Sequence, residues 1–337
     1  MAREIAETGS ILARQLAANA ASTAAIAALL RQRAPRVVAT IARGSSDHAA
    51  LYLKYLVEIS LGVPCASIGP SIASLYNAPL RLEGDLAITI SQSGRSPDIV
   101  ALQAAAGRAG ALTLALVNAV ESPAALGAQF LLPLHAGAER SVAATKSMIA
   151  ALVAGAALVG AWADDAGLAA ALAALPDLLS GASAPPPRAL IDLVAGAKSA
   201  FVIGRGATFA IAAEAALKLK ETCAIHAEAF SSAEVLHGPA GVIAPGFLVI
   251  AFAPQDAARE GFAETLERLA AMGARILLVD ADASAVGPAL VVPAAGHSAL
   301  TAIVMLHRFY SLVEACAQAL GRDPDNPPHL RKITETT

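Results

Sequence analysis

Short apolar runs recur along the chain, each followed by a small-residue turn and then a longer stretch rich in Ala and Leu. Arg36-Val-Val-Ala-Thr-Ile41 leads into Ala-Arg-Gly44-Ser-Ser, and Leu86-Ala-Ile-Thr-Ile90 leads into Ser91-Gln-Ser-Gly. The run at 111–117 follows a segment ending in Gly, and a shorter run at 130–134 precedes a long apolar stretch. Runs of this length without polar alternation predict strands buried on both faces. Their alternation with helical stretches predicts a parallel sheet covered by helices on each side.

The order is then repeated. The run at 199–203 leads into Gly-Arg-Gly206-Ala-Thr, and the run at 248–252 leads into Ala-Pro-Gln-Asp. Further runs at 274–279 and 290–292 precede a second long apolar stretch. Internal repetition on this scale predicts two tandem α/β sandwiches. The Pro-rich segment Ala184-Pro-Pro-Pro-Arg188 is the expected boundary. It separates residues 1–183, which include an N-terminal helix, from residues 188–337, which end in a tail.

Composition narrows the class. A chain of 337 residues is long enough for two ordinary domains. With 24 basic and 27 acidic residues it has no broad positive field for nucleic acid. The most membrane-like stretch, residues 148–163, falls short of the roughly 20 residues a span needs and reads as a buried helix. The N-terminus carries acids where a signal peptide has bases. Cys65, Cys223 and Cys316 fit neither a disulfide framework nor a zinc site, so the expectation is a cytoplasmic protein with no metal and no cofactor.

The two halves differ where ligands gather, beyond the carboxyl ends of the strands. There the first half carries Ser45, Ser46, Ser91, Ser93 and Ser96, and the second carries Ala207, Thr208, Ala253, Pro254 and Asp256. The loop Ser91-Gln92-Ser93-Gly94-Arg95-Ser96-Pro97 follows a strand and opens a helix. Its hydroxyls, Gln92 and the helix N–H groups match the oxygens of a phosphate monoester. Ser96 also reads as a plain N-cap with Pro97 behind it, and both readings stay open. Gly-x-Gly-x-x-Gly and Walker A spacings are absent, which argues against a nucleotide.

These residues resemble the sugar-isomerase (SIS) family. Ser91-Gln-Ser-Gly-x-Ser is similar to its phosphate loop and Arg43-Gly44-Ser45-Ser46 to its second ligand turn. The resemblance extends to Glu139-Arg-Ser-Val-Ala-Ala-Thr-Lys146, Ala216-Leu-Lys-Leu-Lys-Glu221, Glu234-Val-Leu-His-Gly-Pro239 and Asp325-Asn-Pro…Leu330-Arg-Lys332. It is strongest with the isomerase part of glucosamine–fructose-6-phosphate aminotransferase and with SIS-type glucosamine-6-phosphate deaminases. It implies two flavodoxin-like SIS domains and a sugar-phosphate substrate. It also implies substrate contacts at Gly44, Ser45, Ser46, Ser91, Gln92, Ser93, Ser96, Val142 and Ala144.

Residues 212–222 read as a helix on which Glu214, Lys218 and Glu221 share one face. A solvated ion-pair stripe and a tuned acid–base set in a cleft both fit that spacing. The resemblance implies that Glu221 carries a proton between C1 and C2 and that Lys218 supports the enolate charge. It implies that His237 opens the sugar ring in the site of a neighbouring subunit, hence a homodimer. It implies that Lys332 in the C-terminal tail reaches the sugar carbonyl. His226 is read as structural.

Departures from the aminotransferase surround this set. Arg43 stands in place of Cys, Ala144 in place of Ser and Leu236 in place of Lys, and Pro328 and Arg331 replace its tail Arg and Ala. The segment Met1…Glu4-Ile5-x-Glu7 is similar to the point where its isomerase portion begins, so no glutamine-hydrolysing domain is expected. The resulting expectation is deamination of glucosamine 6-phosphate to fructose 6-phosphate and ammonia. An aldose–ketose isomerase or a deglycase is the alternative. A non-catalytic sugar-phosphate sensor is the reading from another class, and it has no need of Glu221, His237 and Lys332 together.

Overall fold

The computed structural model describes residues 1–180, 185–282 and 287–332. The chain opens with α1 (Ala2–Ala6) and α2 (Thr8–Arg33). A first sheet region follows as β1 (Val38–Ile41), α3 (Ser45–Leu61), β2 (Cys65–Ser67), α4 (Ser71–Ser74) and β3 (Leu86–Ser91). It continues as α5 (Pro97–Arg108), β4 (Leu112–Val117), α6 (Pro123–Leu126) and β5 (Phe130–Pro133). Helices α7 (Lys146–Ala163), α8 (Ala166–Ser180) and α9 (Arg188–Ala195) lead to the second sheet region.

That region begins β6 (Ser199–Gly204), α10 (Ala207–Lys218), a π-helical turn at Leu219–Cys223 and β7 (His226–Ser231). A single 3-10 turn at Pro239–Val242 precedes β8 (Leu248–Phe252), α11 (Arg259–Ala271), β9 (Arg275–Asp280), β10 (Ala289–Val291) and α12 (Ser298–Ala319).

Each sheet has five parallel strands. The orders are β2-β1-β3-β4-β5 and β10-β9-β8-β6-β7, the same path once the second is counted from β6. Thus the repeat in the sequence is a repeat of topology. β1 and β8 are buried along their whole length, as continuous apolar runs require. The sequence pattern did not mark β2 or β7, because Cys65–Ser67 is very short and His226–Ser231 carries His226 and Glu228 on an edge.

The chain divides into two compact units that are not contiguous in sequence. One holds Met1–Glu7, Arg140–Thr145 and Asp177–Leu330, and the other holds Thr8–Glu139, Lys146–Pro176 and the tail residues Arg331 and Lys332. Position 183 and Ala184 of the expected boundary, and the tail beyond Lys332, lie outside the described residues.

In the unit containing β1–β5, the Asp85 carboxylate accepts the backbone N–H groups of Arg36 (3.1 Å) and Val37 (3.2 Å), fixing the entry to β1. α7 is buried nearly throughout. Its small residues admit α2, whose Gln15 amide donates to the Ala150 carbonyl at 2.9 Å. In the unit containing β6–β10, α12 packs on α10, and Phe309 meets Phe252 edge-on with centroids 5.4 Å apart. The N-terminal segment belongs to this unit: the Ile5 carbonyl lies 3.1 Å from His307 Nε2 on α12.

Among the described residues, two helices, Lys146–Ala163 and Ser298–Ala319, are long and apolar enough to cross a membrane, yet 83% and 78% of their most apolar windows are buried in the protein. The second was not singled out by sequence because Arg308, Glu314 and several hydroxyl residues interrupt it.

Candidate active site

Two side-chain constellations stand at loops and helix ends, one in each unit. The first surrounds the turns after β1 and β3. Gly44 caps α3 with φ 55° and ψ −134°, and Gly206 caps α10 with φ 59° and ψ −133°. The positive φ is what glycine supplies there. The two halves therefore share one turn geometry, and only the first surrounds it with serines.

The loop after β3 is held from beneath by its own carbonyls. Those of Ser91, Gln92 and Gly94 accept the backbone N–H groups of Asn118 (3.4 Å), Ala119 (3.2 Å) and Ala124 (3.1 Å). Ser91 Oγ accepts Gly94 N–H at 2.9 Å and Ser93 Oγ accepts Arg95 N–H at 3.4 Å. Both bonds use oxygen lone pairs and leave the hydroxyl protons to donate. Gly94 has φ 61°, and a Cβ on it would meet Ser122 Oγ at 2.1 Å. No other residue fits. Ser96 occupies the N-cap of α5 with Pro97 behind it, but its side chain makes no capping hydrogen bond. The N-cap reading is right about position and leaves the hydroxyl unused by the helix.

At the matching edge of the second half, Thr208 Oγ1 accepts Arg205 N–H and donates to the Arg205 carbonyl, both at 2.9 Å. Gln255 Nε2 donates to Asp280 Oδ1 at 2.7 Å. Polar groups here hold the fold together.

Arg43 joins the two turns of the first half. Its Nε and Nη2 both point to Asp98 Oδ2, at 2.7 and 2.6 Å, while Asp98 Oδ1 accepts Ile99 N–H at 2.8 Å. The Asp98 side chain is completely buried and that of Arg43 is half exposed. Burial pushes the neighbouring Asp47 carboxyl up, against the opposing pull of His48, Ser67 and Arg43.

In the other unit, the α-helix stops at Lys218 and the π-helical turn carries Glu221. The sequence predicted an uninterrupted helix over 212–222. The wider turn is the correction, and such turns are frequent at functional sites. Lys218 Nζ lies 3.3 Å from Glu214 Oε1 and also pairs with Glu221 Oε2. Tyr310 on α12 donates to Glu214 Oε1 at 3.1 Å. The side chains of Glu214 and Lys218 have no solvent exposure, whereas Glu221 retains 20%. This rules out the solvated stripe that spacing alone allows. Burial alone would lower the Lys218 pKa, but the charges and hydrogen bonds of Glu214 and Glu221 outweigh it and raise it.

His237 is exposed on the turn after β7, with its N–H bonded to the Glu234 carbonyl. Val142 and Ala144 are half-buried, and Val142 N–H donates to the Asp325 carbonyl at 3.0 Å. Lys332 belongs to the unit of the first sheet, where Nζ lies 2.7 Å from Glu139 Oε2. Glu139 also accepts Ser147 N–H (3.1 Å) and Ser147 Oγ–H (2.7 Å). Burial would raise its pKa, but Lys332 and Ser147 together hold it below the ordinary value. In the sequence Glu139 stands within a motif but shows no role of its own, Asp98 shows none either, and no local spacing links Tyr310 to Glu214.

The SIS domain profile matches residues 31–161 and again 193–304. The chain belongs to the SIS-domain family. Each match covers one of the two five-stranded sheets, so both halves are SIS domains. The glutamine–fructose-6-phosphate aminotransferase (isomerizing) of Bradyrhizobium diazoefficiens is 33% identical over 317 residues, 88% of this chain and 51% of that protein. The aminotransferase of the same name from Symbiobacterium thermophilum is 33% identical over 320 residues, 89% and 52% of the two chains. The chain thus spans about half the length of these curated relatives.

Among solved structures, a Silicibacter pomeroyi DSS-3 protein provisionally described as a phosphosugar isomerase has TM-score 0.89 and 45% identity. The match covers 96% of this chain and 98% of that one. Glucosamine-6-phosphate deaminase from Thermotoga maritima shares the fold, with TM-score 0.76, 20% identity and coverage of 99% of each chain.

Proposed function

We propose that this SIS protein is an amino-sugar phosphate deaminase that converts glucosamine 6-phosphate and water to fructose 6-phosphate and ammonia. The observation that carries the reading is the buried set Glu214–Lys218–Glu221, in which Glu221 alone keeps solvent exposure. A carboxylate reachable from solvent and hydrogen-bonded to a buried lysine suits a base that moves one proton between adjacent carbons.

In the proposed reaction the Ser91–Ser96 hydroxyls and the Gly44–Ser46 turn hold the phosphate. His237 transfers a proton between O1 and the ring oxygen to open the sugar. Glu221 removes the C2 proton and returns it to C1, and Lys218 stabilises the enolate oxygen between. The product is a C2 imine. Water adds to it and ammonia leaves, giving the ketose. Lys332 acts at the sugar carbonyl, and Val142 and Ala144 line the sugar. His237 serves a second copy of the chain, as the family resemblance implies, and its exposure supports this. The buried free thiols of Cys65, Cys223 and Cys316 suit a reducing cytoplasm.

Incubation with glucosamine 6-phosphate and parallel assay of ammonia and fructose 6-phosphate tests the reading. Equal yields of the two are expected, and unchanged substrate at high enzyme rejects it. Glu221→Gln is expected to lose on the order of 10²–10⁴ in kcat. A second reading, aldose–ketose isomerisation without loss of nitrogen, is favoured by the 45% identical structure described as a phosphosugar isomerase. It predicts sugar interconversion with no ammonia released.

A further inference from the structure

We propose that Arg43 is the charge-compensating and positioning residue of the anion loop, cancelling the buried Asp98 carboxylate so that Ser91–Ser96 accepts a phosphate dianion. The proposal rests on the phosphate reading of that loop given above.

Asp98 lies two residues past Ser96, in the first turn of α5, with no exposed side-chain surface. The carboxylate is useful to the fold, because Oδ1 caps Ile99 N–H. Its charge is nonetheless of the same sign as the expected ligand. A buried negative charge beside the serines works against the field of the α5 N-terminus, which favours anions. Both guanidinium contacts of Arg43 fall on Asp98 Oδ2, while Oδ1 accepts the Ile99 N–H. The pair therefore balances the charge and also ties the Gly44 turn to the loop after β3. A guanidinium suits this role because it is planar, permanently charged and offers several donors. Half of the Arg43 side chain stays exposed.

The second half gives an internal contrast. Arg205 precedes Gly206 as Arg43 precedes Gly44, but its Nη1 donates to Ser231 Oγ at 3.3 Å instead of to a buried carboxylate. The arginine is common to both repeats, and the acid partner occurs where the serines are.

The test is isothermal titration calorimetry of inorganic phosphate and fructose 6-phosphate against wild type, Arg43→Ala, Asp98→Asn and the double variant, with thermal melts alongside. Arg43→Ala is expected to weaken both ligands about tenfold, the scale of one unit charge in a partly solvated site. Asp98→Asn is expected to bind at least as tightly as wild type. The double variant is expected to regain wild-type affinity even where its melting temperature stays low. Recovery of affinity without recovery of stability is a result that a purely structural role does not produce. If Arg43→Ala fails to fold, the Asp98→Asn and double variants still decide. Weak binding in both overturns the proposal. Unchanged affinity in Arg43→Ala overturns it alone, whereas wild type that binds neither ligand overturns the phosphate reading beneath it as well.

Discussion

Lys332 Nζ stands 2.7 Å from Oε2 of Glu139, a carboxylate with no solvent-exposed side-chain surface. The lysine expected to meet the sugar carbonyl is therefore paired with a buried acid. Attack on a carbonyl needs the neutral amine. An attack by Lys332 must first break its pair with Glu139.

The pairing has a defined pH window. Glu139 is held below the ordinary glutamate value of 4.5, so its stabilising effect is complete above that pH and is lost as pH falls through the depressed folded value. Thermal melts should show wild type more stable than Glu139→Gln at neutral pH. The gap should close in acid, well below pH 4.5.

Removing Lys218 should be more severe. Lys218→Met leaves Glu214 and Glu221 facing each other without a counter-charge in a buried site, a change that typically costs about 3–5 kcal/mol. Chemical denaturation measures the loss. Adding Glu214→Gln to this variant should recover part of the stability but none of the activity.

Tyr310→Phe removes the donor to Glu214 while preserving ring volume. A loss of about 1 kcal/mol is expected for the hydrogen bond. The pH–rate profile of the variant should also move, because Glu214 helps to set the charge on Lys218.

Gly94→Ala is expected to disable the loop proposed to bind phosphate. Left-handed backbone costs an alanine about 1–2 kcal/mol, and the new methyl would drive into Ser122. Loss of phosphate binding by calorimetry, at a melting temperature only modestly lowered, checks it.

His307 gives a second pH dependence. Burial lowers its pKa below 6.5, with the Ile5 carbonyl opposing and Arg308 adding to the shift. The unfolded chain then takes up the proton first, so stability should fall as pH drops below 6.5. His307→Gln should flatten melting temperature against pH across that range.

Much of this was legible in the sequence for physical reasons. Strands buried on both faces write themselves as apolar runs, so eight of the ten strands among the described residues were marked. β7 was hidden because its edge position tolerates His226 and Glu228. Small hydroxyls clustered after a strand exposed the loop at Ser91–Ser96. The Arg43–Asp98 pair was invisible because it joins segments that meet only after two strands align. The π-helical turn was invisible because its residues, Leu219–Cys223, are ordinary helix formers in composition.

That turn also distinguishes the two halves. α3 runs as regular helix over Ser45–Leu61, while α10 gives way after Lys218 to a turn holding one residue more than the α-helical repeat. A one-residue insertion in a duplicated scaffold helix is the smallest change that creates such a turn. Excising Leu219 or Lys220 would leave Glu221 only two residues after Lys218, off the face on which the two side chains meet, and would break their pair while leaving the sheet in place.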